Sequence, residues 1–357
     1  MTNFDATPPE APEVTGSLIA GDGDVTGEAM PTKMSKKRKA TISALVIALV
    51  ILALLFAWYL MNRKPLSELP GLSSTKMPHY EFSIYGTTHP LGVAANASSD
   101  RIYVTESDGK RLVHSYDAKG KPVGTLQPPA SAGKSHIPVY VAINPTTQDV
   151  YVSDTATSSI YVYDAKGTFL RTFAPKGDIG GKWNPLGLAF APDGTLYATD
   201  IRPLPAKSHR VLAFAPDGTL QRSIGTPGQL SFPNGIAVDA QGNIEVSDSN
   251  NGRLVTFSPY GKMLATISQG IGEGDLGLPR GAAVDDSGRL YVADTSDHQV
   301  RVYAIDASKA VPTYIGSFGN EGQTDGTFEY PNGVATDTRA HIYVTDRENN
   351  RVQVWGY

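Results

Sequence analysis

The chain has 357 residues, a formal net charge of −4 and no cysteine. Disulfides, thiol chemistry and Cys-ligated zinc or iron centres are thereby excluded, and stability must come from packing. Its 35 acids and 31 bases become 29 and 24 once six acids of an N-terminal tail and seven cations flanking an apolar run are set aside, a balance that argues against nucleic acid as a partner.

In chain order, residues 1–39 come first. Residues 1–32 are polar, rich in Pro, Gly, Thr and acids (Asp5, Glu10, Glu13, Asp22, Asp24, Glu28), and offer little to bury, so they are expected to be a disordered tail. Asp22-Gly-Asp24 lacks the remaining ligands of a calcium loop. Residues 40–61, ATISALVIALVILALLFAWYLM, are 22 residues without a charge, enough for a single transmembrane helix across a bilayer core of ~30 Å. The rival is a cleaved signal peptide, whose apolar region is usually about half this length and ends in small residues, whereas Trp58-Tyr59-Leu60-Met61 ends this one. An uncleaved anchor is therefore expected. Lys33, Lys36, Lys37, Arg38 and Lys39 precede the run while Arg63 and Lys64 follow closely, which predicts a cytoplasmic N-terminus and an extracytoplasmic C-terminal domain at the cell membrane. Residues 62–78 form a linker too short to let that domain stray far from the lipid surface.

From Pro90 onward a unit recurs six times, at Pro90, Pro138, Pro185, Pro233, Pro279 and Pro331. Each proline opens a Pro-x-x-apolar-Ala run, and fifteen or sixteen residues later an acid closes a Tyr/Val-rich run: Glu106, Asp154, Asp200, Asp248, Asp294 and Asp346. Those acids are 48, 46, 48, 46 and 52 residues apart, a period that signals one supersecondary unit repeated around an axis or along a rod. Within the fourth unit, four short runs rich in β-branched and aromatic residues are split by Asp-Ala-Gln-Gly, Asp-Ser-Asn-Asn-Gly and Ser-Pro-Tyr-Gly, so each unit reads as a four-stranded antiparallel meander. The predicted fold is all-β: a six-bladed β-propeller of four-stranded blades over residues 79–357, preceded by the helix and the tail. The last unit stops after its third strand, and residues 80–86 (YEFSIYG) match the fourth strands that end in RSIG and GSFG. They are expected to complete blade six and shut the ring.

The stretches Pro-Asn-Gly-Ile-Ala-Val-Asp, Leu-Tyr-Val-Ala-Asp, Asn-Asn-Arg-Val-Gln-Val and GSFGNEGQTDGTFEYP make these units resemble NHL repeats, closely in units four to six and more loosely in units one to three. In the looser units Glu106 replaces the usual Asp, and Ser159 stands where Arg111, Arg210, Arg253 and Arg351 stand, as Gln299 does in unit five. The resemblance implies a six-bladed propeller and no particular activity.

The longest loops, 127–137, 174–184, 268–278 and 320–330 with the insertion 201–209, are expected on one face, where loops on a rigid scaffold collect binding residues. Blades one to three supply Lys134, His136, Lys176, Lys182, Arg202, Lys207 and His209, with Trp183 beside them, against Asp178. Blades four to six supply Glu273, Asp275, Glu321, Asp325 and Glu329. This predicts a face with a basic half and an acidic half. Leu91, Val139, Leu186, Asn234, Arg280 and Asn332, each following the repeat proline, are expected to ring the channel mouth, with polar groups on one side. Propeller lactonases resemble this architecture but converge carboxylates on an axial metal. This ring has none, so neither a metal nor another cofactor, and no catalytic residue, is expected. The seven histidines share no repeat position and no short ligand spacing. The acid closing each second strand serves what all six blades share, bonding the following turn or the Arg five residues on, as in Asp248/Arg253 and Asp346/Arg351. The expected function is binding or scaffolding of an extracytoplasmic protein, peptide or glycan, with lipid held by the N-terminal helix. The alternatives are an exported lyase or lactonase-like hydrolase acting at the central channel, and a subunit of a larger membrane complex.

Overall fold

A computed structural model describes residues 36–62 and 77–357, apart from 134, 203–208, 271 and 310. It divides into two units, Met1–Ser73 and Ser74–Tyr357. Most of the expected tail and linker lies outside the described residues, as do Lys134 and Lys207.

In the first unit a helix of 27 residues spans Lys36–Asn62. It starts four residues before the uncharged run because Lys and Arg are good helix formers, and its described apolar side chains are exposed on every side. Among the described residues no helix is long and apolar enough to cross a membrane.

The second unit is six four-stranded antiparallel sheets. Five blades take their strands consecutively. In blade six Pro331–Thr336, Ile342–Asp346 and Arg351–Gly356 are joined by His79–Tyr85 from the other end of the domain, pairing from Tyr85 opposite Arg351 to His79 opposite Gly356. The ring is therefore closed by hydrogen bonding between distant ends of the sequence, as expected.

Each repeat proline pairs with the acid of its own blade, after which the register slips at the following two residues. That slip lets neighbouring blades touch at the axis. A Cβ on Gly92, Gly187, Gly235, Gly281 or Gly333 would lie only 2.1–2.6 Å from the carbonyl oxygen of Val139, Asn234, Arg280, Asn332 or Leu91 in the next blade. Second-strand hydroxyls reinforce the contact: those of Thr105, Ser153 and Thr345 donate to the next-blade carbonyls of Val139, Leu186 and Leu91 at 2.7, 2.6 and 2.9 Å. Between every pair of neighbouring blades lies an apolar cluster, so the core is a ring of six layers. Second-strand tyrosines help form these layers. Tyr103, Tyr151, Tyr197, Tyr291 and Tyr343 pack on the following blade.

Candidate binding surfaces on the ring

At the axis, blade two breaks the glycine rule with Tyr140. Its ring joins Val139, Leu186 and Leu91, and its hydroxyl donates to Asn234 Oδ1 at 2.5 Å. Burial holds the phenol well above the usual tyrosine range, while the Arg280 charge and a bond with Asn332 act the other way. A side chain at this crowded position spreads the junction slightly: the Tyr140 amide reaches Ser153 Oγ at 3.1 Å, against 2.6–2.8 Å for the corresponding glycine amides of Gly92, Gly187 and Gly333. First strands of all six blades line an axial cavity of only about 40 Å³, with Tyr140 in its wall.

The three polar ring residues are placed accordingly. Asn234 and Asn332 are buried, the second donating to the Leu91 carbonyl at 3.0 Å, and Arg280 is half-buried with no partner for its Nε. The two asparagines are thus used in holding the ring together rather than standing free at an open mouth.

The long-loop residues divide into groups with internal partners and groups free to meet a ligand. Arg202 holds Asp200 at 3.0 Å and donates to the carbonyls of Gly180 and Ile179. His209 is buried, accepts the Phe232 amide at 2.8 Å, and has its basicity lowered by desolvation. Trp183 packs on Phe173 and Phe214. His136 is half-buried against Tyr161 and Tyr163 without hydrogen-bond partners. Asp275 accepts the Gly272 amide at 2.8 Å, and Asp325, though exposed, lies 3.2 Å from Arg351. Lys182, Glu273 and Glu321 are exposed. Because Arg202 and His209 turn inward and Lys176 pairs with Asp217 at 3.2 Å, the basic half of the face is thinner than its sequence suggests.

The six acids are structural, and they bind more than the expected partners. Asp248 and Asp346 pair with Arg253 and Arg351 at 2.8 and 2.7 Å. All six also accept an amide from the loop entering their own blade: Thr88 to Glu106, Ile137 to Asp154, Asn184 to Asp200, Ser231 to Asp248, Leu278 to Asp294 and Glu329 to Asp346. A carboxylate with several lone pairs clamps both loops at once.

A second departure from the repeat lies between blades four and five. Where the other five blades carry the inter-blade tyrosine, blade four carries Glu245. The shorter side chain is absent from the apolar layer there, and a cavity of about 440 Å³ opens between the first turn of blade four (Asp239, Gln241, Asn243) and the last turn of blade five (Ile305 to Lys309, with Pro312). Glu245 is buried, accepts the Thr256 hydroxyl on Oε2 at 2.7 Å, and leaves Oε1 without a partner. Burial pushes its carboxyl up to about 7. Neither Tyr140 nor Glu245 stands out in a motif search. Both appear as soon as the six units are written under one another, each being the single dissenter at its position. No group of three His, Cys, Asp or Glu among the described residues is arranged to hold a metal.

Comparison with known proteins agrees with this architecture. The NHL repeat pattern matches residues 230–257, 276–303 and 328–355, the first three strands of blades four, five and six. Three of the six blades are NHL repeats. No curated protein sequence matches the chain. Among solved structures, a gluconolactonase from Xanthomonas campestris is similar at 19% identity over 80% of this chain and 96% of its own, with a TM-score of 0.58. A streptogramin B lyase is similar at 12% identity over 80% and 99%, TM-score 0.56. A chain from a nidogen/laminin complex is similar at 20% identity over 69% and 84%, TM-score 0.53. At such identities the shared property is the propeller fold.

Proposed function

We propose that this protein is a membrane-anchored, extracytoplasmic binding or scaffold propeller that recognises a protein, peptide or glycan on its long-loop face. The observation that carries this reading is the filled axis. With Tyr140 in place, the axial cavity has room for a few waters, whereas small-molecule pockets run to roughly 300–1,000 Å³. Asn234 and Asn332, the amides an axial hydrolase site would draw on, already bond to Tyr140 and Leu91. The similar structures include two enzymes and a chain of a binding complex, so likeness of fold favours neither class. The rival remains an exported lyase or lactonase-like enzyme. Anchoring rests on the uncharged run 40–61 within the helix Lys36–Asn62, and orientation on the excess of cations before it.

The test uses the full chain in intact cells. The chain should sediment with membranes and react from outside with a membrane-impermeant amine crosslinker. A specific crosslinked partner should be lost when Lys182→Glu, Glu273→Lys and Glu321→Lys are combined. A partner unaffected by that triple change, a propeller shielded from the outside, or turnover that needs a stoichiometric divalent ion would each overturn the proposal.

A further inference from the structure

The cleft beside Glu245 has the dimensions of a small-molecule site, at about 440 Å³. In its inner wall sits a carboxyl only 1% exposed, one oxygen of which has no hydrogen-bond partner. Leaving a buried acceptor unsatisfied is costly, so the site calls for a donor from outside the chain. The surrounding charge says which donor. Asp239 and Asp306 also line the cleft, and Lys309 is the cation among the lining residues, its Nζ 3.4 Å from Thr313 Oγ1. The Asp239 oxygens are taken by the amides of Gln241 and Asn243 and by Asn243 Nδ2, and Asp306 Oδ1 by Ser308. Both add negative potential, and Glu245 is the buried acceptor in need of a partner. Leu264, Ile305 and Pro312 give the cleft an apolar side.

We propose that this inter-blade cleft binds a primary ammonium group on a short aliphatic stem, with Glu245 accepting from the ammonium and Leu264, Ile305 and Pro312 covering the stem. The carboxylates are not grouped to grip a bare metal ion, whereas an alkylammonium supplies both the missing donor and the countercharge, and its stem matches the apolar side. Such a head group comes either from a free amine or from a lysine side chain. The site is independent of the long-loop face and of the anchor.

Proton linkage distinguishes this ligand from a neutral one. Glu245 holds its proton up to about pH 7 in the empty cleft, so an ammonium must displace that proton, and its affinity rises as the pH rises. Asp239 and Asp306 support the ammonium and Lys309 opposes it. Calorimetric titration of the full chain in mild detergent with n-butylammonium should give saturable, roughly millimolar binding that tightens about tenfold between about pH 6 and pH 8. Nα-acetyl-lysine N-methylamide in a parallel titration separates the two sources, since the lysine derivative binds more tightly only if the cleft is shaped for a peptide. 1-Butanol should bind at least about tenfold more weakly, and Glu245→Gln should lower n-butylammonium affinity by about tenfold or more. Lys309→Ala, on an exposed turn, should raise it about twofold to threefold. Equal binding of the alcohol, unchanged binding by Glu245→Gln or Lys309→Ala, or no saturable amine binding would overturn the assignment.

Discussion

At Tyr140 the ring gains a side chain where five blades have only hydrogen, and at Glu245 it loses an aromatic ring where five blades have tyrosine. The first change fills space at the centre, leaving about 40 Å³ on the axis, and the second empties space at the periphery, leaving about 440 Å³. A repeat protein carries its own control experiment: what all six units share holds the scaffold, and a residue found in one unit answers to something local. By that standard the six closing acids belong to the scaffold. The two dissenting positions put a packed side chain at the axis and leave an open cleft between blades four and five.

Returning each dissenter to the residue of the other blades tests this contrast, because the two reversions should act in opposite directions. Tyr140→Gly should be the most damaging, lowering unfolding stability by about 4 kcal/mol through the lost aromatic burial and the lost donor to Asn234. Urea denaturation of the variant should show this as a lower midpoint with the slope unchanged. A variant as stable as the parent would mean that the ring does not depend on its plug.

The next largest effect is a pH dependence at the other position. The Glu245 carboxyl is raised from an ordinary 4.5 to about 7 in the folded chain, so the folded state binds its proton more tightly than the unfolded state. Its favourable contribution is complete below about pH 4.5 and is lost as the pH rises through about 7. Over that window the parent should lose up to about 3 kcal/mol relative to Glu245→Gln, which cannot titrate. Paired unfolding curves at the two ends of the window measure the difference. Parallel pH profiles would show that folding leaves the affinity of Glu245 for its proton unchanged.

The frame was legible and the sites were not, for reasons that can be traced to particular residues. Six prolines, six acids and the orphan strand before Pro90 are local signals repeated in register, and repetition makes weak turn and strand preferences add up. The closing strand was legible because a blade missing one strand needs it from somewhere. Arg202 and His209 were placed on the correct loops, yet a loop position does not reveal that the side chain folds back onto Asp200 or the Phe232 amide. Asn234 and Asn332 lie near the axis as expected, but their availability depends on partners in other blades, Tyr140 across 94 residues for Asn234 and the Leu91 carbonyl for Asn332. Glu245 escaped notice because a strand scan counts apolar residues and treats one charge as a solvent-facing position. Its neighbours in the equivalent units show that the position faces the next blade.

The smallest effect should be the gain from filling the cleft. Glu245→Tyr restores the residue of the other five blades into a cavity with ample room for a phenol ring. In blade one the equivalent Tyr103 donates its hydroxyl to the Ala165 carbonyl in the last turn of the next blade, and the turn containing Asp306 offers blade four the same kind of partner. The substitution removes a buried acid and adds apolar contact, at the expense of the acceptor that Thr256 now uses. The net expectation is a stabilisation of about 1–2 kcal/mol at neutral pH, visible as a thermal midpoint raised by about 2–6 °C. The gain should shrink toward pH 5, where the parent's Glu245 is protonated and no longer resists burial. If instead the variant is destabilised at every pH, the cleft is held open by the backbone of blades four and five, and the missing tyrosine is a consequence of that opening rather than its cause.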